Sequence, residues 1–194
     1  MASTLHRRVD APYGPDDRAR VSLGRFGPLL LAVAVGTLVS VGLGVYGRLH
    51  EPTFFAISVA GFSSGIAVKA WLGTAVFALV LVQVVSARLM YRGAGPVVAA
   101  LHRWSGRAAV LLTVPVAVHC LYALGYSDTT LRVAVHSLAG CFVYGAFAAK
   151  MLVLGRSGAP RWAVPVLGGL LFVGLTALWL SSALWFFTTS GLTF

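Results

Sequence analysis

The chain has 194 residues, of which 58% are hydrophobic and only 10% charged, with a mean hydropathy of +0.87. Soluble domains carry about a quarter charged residues, so this composition excludes an ordinary soluble protein and predicts a membrane domain that takes up almost the whole chain. The net charge of +10 is not the footprint of a nucleic-acid binder, because the basic residues stand at the ends of apolar runs and form no basic face.

Residues 1–25 are polar and Arg-rich, with Pro12, Gly14 and Pro15, and read as a mostly disordered cytoplasmic tail. The tail is long for the charged region of a signal peptide. The apolar run after it is too long for a signal core, and no clear small-x-small cleavage site follows, so the segment is expected to be a retained anchor. Five apolar runs come next, at about 26–47, 66–89, 107–125, 131–154 and 162–187. Each reaches the roughly 20 residues that a helix needs to cross a bilayer. The expected fold is therefore all-α, a bundle of five transmembrane helices over residues 26–194, with helices two to five as its core.

The connections carry their own signals. Glu51-Pro52-Thr53-Phe54-Phe55 up to Gly65 is apolar but broken by Pro and Gly, and is read as lying on the membrane. Gly93, Gly95 and Pro96 break the second connection, and Gly158 and Pro160 the fourth. With the N-terminus inside, twelve of the fifteen basic residues fall on the inner side and only Arg48, Lys69 and Arg132 on the outer. That bias predicts a multi-pass protein of the cell membrane with a cytoplasmic N-terminus and an extracellular C-terminus. Trp162 and Trp185-Phe186-Phe187 fit interfacial belts at the two ends of the last helix. Gly36, Ser40 and Gly44 form a small-residue row that lets another helix approach the first.

All five acidic residues lie outside the spans, which argues against an ion-coupled transporter. No CxxC, HExxH or phosphate loop is present, so soluble-type hydrolase chemistry has no support. Cys120 and Cys141 differ in depth by several residues and are not expected to form a disulfide. What remains is histidine. His119 and His136 lie within the third and fourth spans, on either side of the polar break Tyr126-Ser127-Asp128-Thr129-Thr130. In antiparallel helices they share one depth, near the outer face. Ionisable residues inside a span usually face the bundle interior and mark function.

One haem b is the cofactor that best fits paired neutral imidazoles in an apolar bundle. Ala139, Gly140 and Gly145 thin the fourth helix for a porphyrin. Pro115, four residues before His119, frees the carbonyl of Leu111 and favours a bend. Lys69 and Arg132 are expected at the propionates. Neighbouring helices pack about 8–10 Å apart, which is too close for a haem held by both, so the two helices must splay or the ligands must reach obliquely. His50, at the outer end of the first helix, is an alternative partner for either histidine. His102, in His102-Arg103-Trp104-Ser105-Gly106-Arg107, reads first as a basic interfacial anchor; a quinone contact or an inner haem ligand are its functional alternatives. Lys69 and Lys150 also fit snorkelling cations, and Gln83 fits a hydrogen bond between helices. A further alternative is copper or haem handling with His119 and Cys120 as soft ligands; His-Cys-Met chemistry suits copper, although Met90 and Met151 lie at the opposite face.

The His102–Arg107 block leading into a span with an inner histidine resembles the ferric-reductase-like and ascorbate-reducible transmembrane b-type cytochromes, across helices two to four. That block, Val118-His119-Cys120 and Val135-His136-Ser137-Leu138-Ala139-Gly140-Cys141 together also resemble an uncharacterised family of small bacterial five-span proteins, over nearly the whole chain. The cytochrome pattern sets two histidines on one helix closer than the seventeen residues between His102 and His119, and fourteen residues after His136 stands Lys150. An inner haem pair is therefore not expected. The resulting expectation is a membrane b-type cytochrome subunit, an electron-transfer component rather than a self-contained enzyme. A single outer haem on His119 and His136 would exchange electrons with a quinol, a redox protein or another membrane subunit. The alternative is a cofactor-free accessory or scaffold subunit of a larger membrane complex.

Overall fold

The computed structural model describes residues 15–54, 62, 64–156 and 158–194, with side chains from residue 26 onward. Five helices are long and apolar enough to cross a membrane. They are α1 (Pro15–Leu49), α2 (Gly65–Tyr91), α3 (Pro96–Leu124), α4 (Leu131–Leu154) and α5 (Ala163–Ser190). The protein is an all-α, multi-pass membrane protein, and large apolar side chains such as Leu38, Leu111 and Leu131 point outward, where lipid can cover them. The end of the bundle that carries loop 125–130 is called the upper end below, and the other the lower.

The helix ends follow local chemistry. Ser64 caps α2 by accepting a hydrogen bond from the Ala67 amide (3.2 Å), and Thr130 caps α4 by accepting one from Val133 (3.3 Å). Gly125, at φ +70°, ends α3 in a conformation that favours glycine. Two boundaries differ from the sequence expectation. Helix α1 begins at Pro15, so 15–25 is helical where a disordered tail was expected; residues 1–14 lie outside the described residues. Helix α3 begins at Pro96, because Pro at the first helical position starts a helix well. The block His102–Arg107 is consequently inside the helix and not an approach to it. Most of the connection expected to lie on the membrane, 55–61 and residue 63, is outside the described residues.

Two helices change winding. In α3 the turn His119–Leu124 is π-helical, four residues beyond Pro115, and in α5 the turn Leu180–Leu184 is π-helical. Such single wide turns occur frequently at functional sites. Residues 53 and 54 brace the first of them: the Thr53 and Phe54 amides donate to the carbonyls of Tyr122 (3.3 Å) and Ala123 (3.0 Å).

The packing order is not the chain order. Helix α1 packs on α4, α4 on α5, α5 on α2 and α2 on α3, whereas α3 and α4 barely touch although a short loop joins them. Helix α1 is thus part of the core, which had been expected of helices two to five alone. Its Ala32 is fully buried in a cluster with Ala149, Val153, Ala163 and Leu167. The small-residue row does the work its spacing implies: a Cβ on Gly36 would stand 2.6 Å from the Gly145 carbonyl oxygen, and one on Gly145 would collide with Ser40. Only glycine at both positions lets α1 and α4 cross this closely.

Candidate functional site

The gap between α3 and α4 is a cavity of about 310 Å³, closed at its sides by α2 and α5. It runs along α4 from Arg132 to Tyr144, twelve residues or about 18 Å at 1.5 Å per residue. That is more than half of a hydrocarbon core about 30 Å thick. Its walls are mainly apolar, including Phe77, Leu175 and Trp179, with polar groups gathered toward the upper end. The Tyr144 hydroxyl donates to the Thr113 carbonyl across the gap (3.1 Å).

His136 projects into this space from α4. Its Nδ1 lies 3.0 Å from Ser181 Oγ, in the π-helical turn of α5. The Ser181 hydroxyl donates its own proton to the Ala177 carbonyl (2.6 Å). It therefore accepts from Nδ1–H, which leaves Nε2 as the nitrogen with the free lone pair. Nε2 is 4.0 Å from the thiol of Cys120 on α3. Beside it, the Ser137 hydroxyl ties α4 to the loop by donating to the Ser127 carbonyl (3.0 Å) and accepting from the Ser127 amide (3.4 Å).

Two cations share the lining. Arg132 is held on two sides: its guanidinium donates to the Ser181 carbonyl (2.7 Å) and lies 3.9 Å from the centre of the Trp185 ring. Lys69 enters from α2, and its charge acts on His119, Cys120 and His136. No carboxylate is found among the described lining residues. A positive charge in an apolar, membrane-embedded wall without a counter-charge favours an anionic group in the space beside it.

Of the residues expected at a haem, His136, Lys69, Arg132 and Gly140 therefore come together around one cavity. A Cβ on Gly140 would meet nothing nearer than Leu178, 3.9 Å away, so the fourth helix is thin there without being crowded. His119 does not join them. It is only 6% exposed, but it lies off the described lining. The buried residues of α3, Ser105, Ala109, His119 and Ala123, fall on one helical face, spread over about 80° at 100° per residue. This face turns to α2, as the hydrogen bond from Gln83 Nε2 to Ser105 Oγ (2.7 Å) shows. Of the lining residues of α3, Thr113, Cys120 and Leu124 form a neighbouring stripe. The residue of α3 that stands opposite His136 is Cys120, the neighbour of His119 in the chain, turned about 100° from it about the helix axis.

The other two histidines are elsewhere. His50 is stacked between the rings of Tyr46 (5.2 Å) and Tyr122 (5.0 Å), with its Nε2 buried and without a hydrogen-bond partner among the described residues. His102 lies toward the lower end, its Nδ1 2.9 Å from Ser86 Oγ and its carbonyl accepting from Gln83. Sequence reasoning missed Ser181, which orients His136, and considered Cys120 only beside His119, as a soft ligand in copper or haem handling. The signal available for Cys120 was its spacing of seven residues from Thr113, two turns along the same face.

The chain belongs to the family of unknown function DUF6529, which matches residues 29–194. No cytochrome b or ferric-reductase family matches. No curated protein and no solved structure matches the chain.

Proposed function

We propose that the protein is a membrane b-type cytochrome subunit that binds one haem b in the cavity between α3 and α4, with His136 as an axial ligand. The observation that carries this reading is His136 itself: an intramembrane imidazole on the wall of an apolar cavity, whose Nδ1 is engaged by Ser181 and whose Nε2 faces the Cys120 thiol. Metal-binding histidines almost always give their second nitrogen to such a partner, which fixes ring and tautomer.

The remaining features fit the same group. A volume of about 310 Å³ lies within the range of about 300–1,000 Å³ usual for cofactor sites. The apolar walls suit a macrocycle, and Lys69 and Arg132 suit two propionates. The separation of α3 from α4 eases the spacing difficulty that adjacent packed helices would pose. When bound, haem supplies a one-electron ferric–ferrous couple. The chain's own residues would bind and orient it: His136 at the iron, Ser181 behind the ring, Arg132 and Lys69 at the acidic edge. One electron would enter from a donor and one would leave to an acceptor, such as a quinol, a redox protein or another membrane subunit. No bond-making chemistry is assigned to the chain.

The distribution of basic residues supports an orientation with a cytoplasmic N-terminus and the cavity toward the outer face of the cell membrane. Reporter fusions at the two termini test that orientation. For the cofactor, the test is a pyridine haemochrome assay with a metal count on protein expressed with haem supplied. The reading requires iron and a b-type haem, whereas colourless, iron-free, well-folded protein would favour a cofactor-free accessory subunit.

A further inference from the structure

We infer that Cys120, and not His119, is the second protein group on the iron, an inference that rests on the haem reading above. Cys120 lines the cavity on the α3 side, directly across from His136, while His119 lies on the face turned to α2. A metal held between an imidazole and a thiolate, with bonds of about 2.0 and 2.3 Å, needs its two donor atoms about 4.3 Å apart when they are opposite one another. Cys120 Sγ and His136 Nε2 are 4.0 Å apart, so a shift of a few tenths of an ångström suffices. His119 would have to rotate by about 100° about the helix axis to take the same place.

A bound thiolate would have counter-charges at hand, since Lys69 and Arg132 line the same cavity. Binding breaks the S–H bond of Cys120, releases one proton to water and forms one iron–sulfur bond, with no change in the oxidation state of the iron. The negative charge so created would share the cavity with the Lys69 ammonium. The π-helical turn His119–Leu124 begins at this point, and the amides of residues 53 and 54 brace it, which holds the thiol in register with His136. Thiolate pushes electron density onto the iron, so the site would stabilise the ferric form more than a bis-imidazole site does.

The wild-type holoprotein carries the first test. Electron paramagnetic resonance of the oxidised form and the optical spectrum of the reduced carbon monoxide complex distinguish thiolate from imidazole ligation without any variant. A thiolate signature is expected. Cys120→Ser and Cys120→Ala should abolish it and raise the midpoint potential, while His119→Ala should leave both unchanged. A bis-imidazole spectrum that His119→Ala destroys and Cys120→Ser leaves intact would overturn the inference while the haem reading stands. Wild-type protein that takes up no haem, or copper in place of iron, would remove both.

Discussion

Ser181→Ala removes one oxygen atom, the one that orients His136, and its effect can be worked out from the structure. Ser181 is 9% exposed and its hydroxyl accepts the Nδ1–H of His136 at 3.0 Å. The substitution leaves that N–H without a partner in an apolar wall, at a cost of about 1–3 kcal/mol. It also frees the imidazole to change tautomer and swing. Loss of such a supporting partner typically lowers metal affinity about 10–100-fold, equivalent to about 1.4–2.7 kcal/mol. The two ranges agree. Arg132 should stay in place, because it bonds the Ser181 carbonyl and the Trp185 ring and not the lost hydroxyl. Haem titration of the apoprotein in detergent reads the effect, with Ser181→Thr as the variant that keeps the hydroxyl. A folded Ser181→Ala protein with wild-type affinity would refute the role given to His136 Nδ1, and with it the reason for holding Nε2 to be the ligand atom.

Other consequences follow from the same geometry. Lys69→Met should weaken haem binding by about 1.5–3 kcal/mol, the worth of hydrogen bonds to charged groups. It should have no such effect on haem dimethyl ester, which lacks the carboxylates; comparing the two ligands by titration checks this. Gly36→Ala places a methyl group 2.6 Å from the Gly145 carbonyl oxygen, and should lower stability by about 1–3 kcal/mol in a denaturation series by forcing α1 off α4. Gln83→Leu breaks the bonds to Ser105 and the His102 carbonyl, and should cost roughly 0.6–1.7 kcal/mol of stability. It should leave any haem spectrum unchanged, since Gln83 is not among the cavity's lining residues.

The spans were legible because runs of about 20 apolar residues are a strong constraint in a bilayer. The depth relation of the two halves of the site was also legible, since the short break at 125–130 makes equal distances along α3 and α4 meet. What the sequence could not supply was rotation. His119 and Cys120 are adjacent, have one depth, and face directions about 100° apart. Nothing in a pattern of apolar residues around them says which faces the gap. The two π-helical turns have no sequence signature comparable to a cap or a turn. Ser181 escaped notice for the same reason: it lies far along the chain in an apolar span, and only the α4–α5 contact brings it to His136. The place of α1 in the core was half-written in Gly36, Ser40 and Gly44, which announce a close neighbour without naming it. The neighbour proves to be Gly145 of α4, a glycine that had been read as space for a porphyrin.

The most direct test of the central claim is a dithionite-reduced minus oxidised difference spectrum, with haem-to-protein stoichiometry, on wild-type protein and on His136→Ala purified after expression with haem supplied. A cytochrome reading predicts one b-type haem per wild-type chain and its loss or gross spectral change in His136→Ala. A wild-type protein without a reducible haem signal, or a His136→Ala variant that keeps the full signal, would contradict it.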